Sequence, residues 1–204
     1  MNFKEIGTRK TFMNTTAAPA TTTQLKTWTV QDYYRMSKAG VLKPDERTEL
    51  IDGKIFLMAA KNPPHSAITK TAADYLRNLL REKADVRIQE PVHLGDRSEP
   101  EPDIALVRIE PRNYIERHPI PSEIFLIIEV ADTTLNFDRK VKSAIYARSG
   151  IADYWIVDVN GERVFVFRRP DSEKYLEKTV FDKNGVLNPL AFPETAIDFC
   201  RFLP

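Results

Sequence analysis

The chain has 204 residues, 30 Lys+Arg against 29 Asp+Glu for a formal net charge of +1, and 42% hydrophobic residues. That suits one folded domain with a sizeable core and argues against a strongly basic nucleic-acid coat protein. The seven Gly are widely spaced, there is one Cys and the three His stand apart, which excludes Gly-rich phosphate loops, disulfide frameworks, multi-Cys zinc sites and His-x-x-x-His metal pairs.

Residues 1–27 carry eight threonines and a single acid, Glu5. They read as a disordered tail, too poor in apolar surface to offset its ordering entropy. No secretory h-region is present, and no apolar run approaches the roughly 20 residues needed to cross a bilayer, so a cytoplasmic setting with no membrane partner is expected. A single domain over 28–204 is expected to follow. Thr29 is placed to cap a helix over Val30 to Lys38, ending at Gly40. Asp52-Gly53 then joins two short apolar runs as a hairpin. A long helix is expected from about Pro64 to Lys83, with Ile68, Ala72, Tyr75, Leu76 and Leu79 on one face. Strands follow at Val86–Leu94, Asp103–Val107 and Ile124–Val130, the last without polar alternation and so covered on both faces. A second helix, about Phe137 to Arg148, presents Val141, Ala144 and Ile145 inward and stops at Gly150. Tyr154–Asp158 and Val164–Arg168 form a second hairpin at Asn160-Gly161, and edge strands close the chain. The central order, helix-strand-strand-strand-helix-strand, implies an α/β fold, a mixed sheet with helices packed on it.

Two carboxylates stand where apolar neighbours dominate. Asp103 opens Ile104-Ala-Leu-Val107, and Glu129 interrupts Phe125-Leu-Ile-Ile-Glu-Val130. A buried carboxylate calls for a metal, a base or a proton as partner. The alternative, strand-end acids that reach water or cap a helix, stays open at this point. Asp138, Lys142 and Tyr146 follow at four-residue spacing and share one helix face. An Asp–Lys pair at that spacing is usually a surface salt bridge, but beside two strand-end acids Lys142 becomes a candidate catalytic lysine.

The ordered segments Glu49-Leu-Ile-Asp-Gly, Glu101-Pro-Asp-Ile-Ala-Leu-Val, Ile127-Ile-Glu-Val-Ala-Asp-Thr-Thr-Leu, Asp138-Arg-Lys-Val-Lys142, Tyr146-Ala-Arg-Ser-Gly and Asp153-Tyr-Trp-Ile-Val-Asp158 resemble the Uma-type family of bacterial endonucleases within the PD-(D/E)XK superfamily. The resemblance spans roughly Trp28 to Arg169 and implies a restriction-endonuclease-like core in the same element order. It matches Pro102-Asp103 to the motif's Pro-Asp and Glu129 to its second acid. The motif lysine would fall at residue 131, on the same strand face as Glu129, where this chain has Ala131. The resemblance places it instead on the following helix, at Lys142. Glu49 matches a recurrent acid of the first hairpin, and His65 a recurrent position at the start of the long helix.

The activity so implied is metal-assisted hydrolysis of nucleic-acid phosphodiester bonds, with DNA as the expected substrate. Asp103 and Glu129 would hold Mg²⁺, for which Mn²⁺ can substitute. Lys142 would orient the attacking water or stabilise charge on the phosphoryl oxygens. His65, Arg139, Lys140 and Tyr146 are expected nucleic-acid contacts, although solvated surface positions explain the basic residues equally well. A homodimer is expected by analogy with nucleases that cut both strands. A nucleic-acid-binding or regulatory domain that keeps the fold without cutting is the alternative.

Overall fold

The computed structural model describes residues 24–203. Most of the expected tail, residues 1–23, therefore lies outside the described residues. Helix α1 (Val30–Lys38) starts where expected because Thr29 and Asp32 form a capping box. Asp32 N–H donates to Thr29 Oγ1 at 3.1 Å, and Thr29 N–H donates to Asp32 Oδ2 at 3.2 Å. The hairpin β1 (Thr48–Ile51) and β2 (Lys54–Leu57) pairs Ile51 with Lys54. Asp52 and Gly53 are left as a two-residue turn with φ of 50° and 71°. Both values are left-handed, as a type I′ turn requires.

Helix α2 (Pro63–Leu80) is capped by Asn62, whose side-chain oxygen accepts from His65 N–H, and it buries Ile68, Ala72, Ala73, Leu76 and Leu80. A six-stranded sheet follows in the order β3-β4-β5-β6-β7-β8, formed by Asp85–Ile88, Ile104–Val107, Ile124–Ala131, Asp153–Asp158, Arg163–Pro170 and Tyr175–Asp182. Every pairing is antiparallel except β5–β6. The parallel pair is bridged by a helical segment over 135–148, here α3, as parallel strands require a crossover. A short pair, β9 (Val186–Leu187) and β10 (Ile197–Asp198), ends the chain with a 3₁₀ turn at Phe199–Phe202.

Two cores sandwich the sheet. One face, with Leu106, Leu126, Ile128 and Trp155, is covered by α2 and by Phe199 and Phe202. The other, with Ile127, Tyr154, Ile156 and Phe165, is covered by α3 and Tyr114. Because β5 is packed on both faces, its unbroken apolar run follows. The α/β class and the order α2-β3-β4-β5-α3-β6 agree with the sequence reading.

Three local expectations are corrected. The strand expected over Val86–Leu94 stops at Ile88, because Gln89 turns left-handed (φ 53°) and its N–H donates to Asp103 O at 3.1 Å. The second hairpin closes through a four-residue loop, 159–162, with Glu162 rather than Gly161 left-handed (φ 44°). Asp158 sets this geometry, accepting from Gly161 N–H and from Arg163 Nε. Finally, α3 is not one α-helix but Leu135–Phe137, a π-helical turn Asp138–Lys142, and Ser143–Arg148. The π turn is closed by Ser143 N–H donating to Asp138 O, five residues back. It rotates the helix so that Asp138, Lys142, Ile145 and Tyr146 are buried, while Val141 and Ala144 are only half-buried.

Candidate active site

The second face of the sheet carries the candidate site. The register pairs Ile104 with Ile128, so one further antiparallel step sets Asp103 across from Glu129. Directly opposite residues have Cβ atoms about 5 Å apart. Both side chains project to the face covered by α3, in phase with Ala105 and Ile127. The acid–acid pair thus follows from two adjacent strands of fixed register.

Lys142 comes down on this pair from α3. Its Nζ donates to Glu129 Oε1 at 2.9 Å and lies 3.3 Å from Glu49 Oε2, on β1. The contact with Asp138 that four-residue spacing suggests is replaced by these two, a consequence of the π turn. Glu49, Glu129, Asp138 and Lys142 are each at most 5% exposed. Glu49 is held in place by Glu101 N–H at 3.3 Å, and its hairpin is fastened to the loop before β4 by Glu99 N–H on Leu50 O (2.8 Å) and Gly53 N–H on Arg97 O (2.7 Å).

Asp103 has partners on three elements. Val130 N–H donates to Oδ2 at 2.9 Å, Gln89 Nε2 to Oδ1 at 3.2 Å, and His65 Nε2 lies 3.1 Å from Oδ1. His65 is therefore an orienting partner of a carboxylate, with its Nδ1 buried and unpartnered. Tyr146 has no exposed surface; its hydroxyl donates to Glu129 Oε1 at 2.8 Å. The expected nucleic-acid contact by Tyr146 is thereby corrected to a support behind Glu129. Arg139 and Lys140 are exposed on the outer side of α3.

Burial with neighbouring carboxylates dominates the electrostatics. Burial pushes the Glu129 carboxyl well above its usual range, against the pull of Lys142 and with the push of Asp103, Asp138 and Glu49. Asp138 is likewise pushed up to about 6, although Lys142 and the Thr134 hydroxyl favour its ionised form. Burial also acts on Asp103, but the His65 hydrogen bond and charge, Val130 N–H and Lys142 outweigh it and hold the group below its ordinary value. For Lys142, burial disfavours the charge, yet Glu129 and Glu49 outweigh it and raise the ammonium above its usual range. A lysine so held stays cationic at neutral pH, and it can donate hydrogen bonds but cannot take a proton.

Four carboxylates around one ammonium leave the site short of positive charge. Among the described residues no three His, Cys, Asp or Glu side chains converge as a preformed metal cage. A hard cation held by two carboxylates, completing its shell with waters and a substrate phosphate, is the arrangement Mg²⁺ favours. Glu129 Oε2, unlike Oε1, carries no protein hydrogen bond among the described residues, and Asp103 Oδ2 accepts one. The donor set at Asp103 and Glu129 therefore fits such an ion. The cleft above is also lined by Arg47, Lys61, Glu101 and Asp132. The sequence reading did not select Gln89, Glu101, Arg47 or Lys61. Glu101 sits in the quoted Glu-Pro-Asp segment, and the others carry no local signal.

A family model described as "Uma2: Putative restriction endonuclease" matches residues 30–200. The chain belongs to this family. Among solved structures, a nuclease described as putative and belonging to DUF820, from Anabaena variabilis ATCC 29413, superposes with a TM-score of 0.61 at 22% identity. The alignment covers 80% of this chain and 97% of that one, and it establishes the restriction-endonuclease-like fold for this Uma2-family chain. No curated protein matches the chain. Among the described residues no helix is long and apolar enough to cross a membrane.

Proposed function

We propose that this Uma2-family chain is a metal-dependent endonuclease that hydrolyses phosphodiester bonds of DNA. The observation carrying this reading is the set Asp103, Glu129 and Lys142: two acids on facing positions of adjacent strands, with a permanently charged lysine held against one of them. A bound Mg²⁺ would polarise the scissile phosphate and lower the pKa of a coordinated water. Asp103 and Glu129 are the residues to hold it. His65 and Gln89 fix the rotamer of Asp103, and Tyr146 fixes Glu129, so neither carboxylate has to reorganise. Lys142, unable to act as a base, donates to oxygens on which negative charge develops. Glu49 keeps the Lys142 ammonium beside Glu129. No covalent intermediate is required, which accords with an exposed, lone Cys200 far in sequence from the site. Cutting both strands of a duplex would bring two copies together.

The test is cleavage of supercoiled plasmid, single-stranded DNA and RNA in Mg²⁺ or Mn²⁺, with Asp103→Ala in parallel. Nicking and linearisation of plasmid are expected, absent in EDTA. The variant is expected to lose at least about 100-fold, beyond the 10–100-fold typical of groups one step removed from a metal. Equal rates for the two proteins would refute the assignment.

A further inference from the structure

Outside the cleft, three cations converge on one aromatic ring. Arg139 of α3, Arg163 of β7 and Lys178 of β8 lie 5.0, 5.0 and 4.7 Å from the centroid of Phe165. No two of these charges can then be further apart than about 10 Å, the screening length at about 0.1 M salt, so they repel one another. Lys140 is exposed on the next position of the same helix. Among the described residues, the ion pair of Arg163 with Asp158 Oδ2, at 2.8 Å, is the one carboxylate contact in this group. A cation–π contact at an exposed site is worth about 0.5–1 kcal/mol; it helps hold each cation in place but leaves the net positive charge of the group unchanged. Lys178 shows the strain: partial burial, then Arg139 and Arg163, hold its ammonium below the ordinary lysine value. The cluster therefore carries an excess of positive charge that an anion would complement.

The ring beneath is 4% exposed, so it cannot stack on an unpaired base, the device of single-strand binding. What it presents is charge alone, fixed in place by the sheet register that sets Phe167 against Lys178 and Phe165 against Val180. Arg139 directly follows Asp138, which lines the cleft, so the cluster flanks the candidate site across α3.

We propose that the outer flank of α3 and the adjoining faces of β7 and β8 form a docking surface for the phosphate backbone of duplex DNA, contacted by Arg139, Arg163 and Lys178. This rests on the nuclease reading for the identity of the polyanion. It adds Arg163 and Lys178, which the reading of the cleft does not require.

The full chain is to be titrated into a labelled DNA duplex in EDTA, where no cleavage competes, over a range of salt. Each phosphate contact contributes about 0.9 to the slope of log K against log salt. The double variant Arg139→Gln, Lys178→Gln is therefore expected to lower the slope by about 1.8 and weaken binding. The conservative Lys178→Arg is expected to keep the slope, as is Lys183→Ala, whose residue pairs with Glu162 beyond the cluster. All these positions are exposed, and matching melting temperatures would show the variants folded. Binding with an undiminished slope in the double variant, or no duplex binding by the wild type at low salt, would overturn the surface. Plasmid cleavage scored separately in Mg²⁺ judges the nuclease reading, so either can fail while the other stands.

Discussion

Lys142 is the residue on which the candidate site balances. Among the described residues it is the one lysine buried with Glu49, Glu129 and Asp138, and removing one partner of a buried pair leaves the other charge uncompensated. Lys142→Met, which keeps the stem volume, should therefore destabilise the protein by about 3–5 kcal/mol in urea unfolding. Adding Glu129→Gln should restore most of that loss, because the Tyr146 hydroxyl can still hydrogen-bond the amide oxygen at that position. A double variant no more stable than the single one would show that packing, rather than charge, sets the cost. At this scale sequence spacing was informative about which residue types matter and silent about who meets whom. That His65 reaches Asp103, and Lys142 reaches Glu49, depends on how α2 and β1 dock, which no local pattern encodes.

Among the elements, β1–β2 and β5 were legible for different reasons. The hairpin is written in Asp52-Gly53, and β5 in an apolar run too short for a membrane and too even for one exposed face. The end of β3 and the π turn of α3 were not legible. Gln89 leaves the strand with hydrogen bonds to Asp103, and the π turn leaves Lys142 buried against the sheet; both depart from the local pattern at the site, where such departures are expected. The hairpin also gives a sharp prediction. A Cβ on Gly53 would meet Thr27 Cβ at 2.6 Å and Trp28 O at 2.9 Å, besides the left-handed φ. Gly150 is left-handed too, but with open space around it. Gly150→Ala should cost about 1–2 kcal/mol, the price of the backbone conformation. Gly53→Ala should cost clearly more, and it should slow plasmid cleavage, because the displaced turn carries Glu49 three to four residues away. Equal unfolding midpoints for the two variants would contradict this.

For the molecule as a whole, the sheet collects acids from separated stretches of chain into one buried place, and their repulsion is a property of the fold. The folded-state values of Glu129 and Asp138 are raised, Asp138 from 3.8 to about 6. At pH 7 Asp138 is ionised in folded and unfolded chains alike, and the folded chain bears its repulsion by the neighbouring carboxyls. As pH falls through about 6 the folded chain takes up protons first, so stability rises toward about pH 4, where unfolded carboxylates begin to protonate and Asp103, held low, starts to oppose the gain. For Asp138, a rise from 3.8 to about 6 corresponds to about 3 kcal/mol at most. In EDTA, urea unfolding is therefore expected to show greater stability at pH 5 than at pH 7.5, and Asp138→Asn should gain stability at pH 7.5 and flatten the dependence. Saturating Mg²⁺ should reverse the sign, since a cation at Asp103 and Glu129 stabilises the ionised set. At 100 times its Kd it adds about 2.7 kcal/mol, or about 5–10 °C in melting temperature for a chain of this size. A wild-type protein whose stability falls steadily from pH 7.5 to 5 in EDTA, or whose melting temperature ignores Mg²⁺, would mean that these carboxylates are already compensated and have no call for a metal ion.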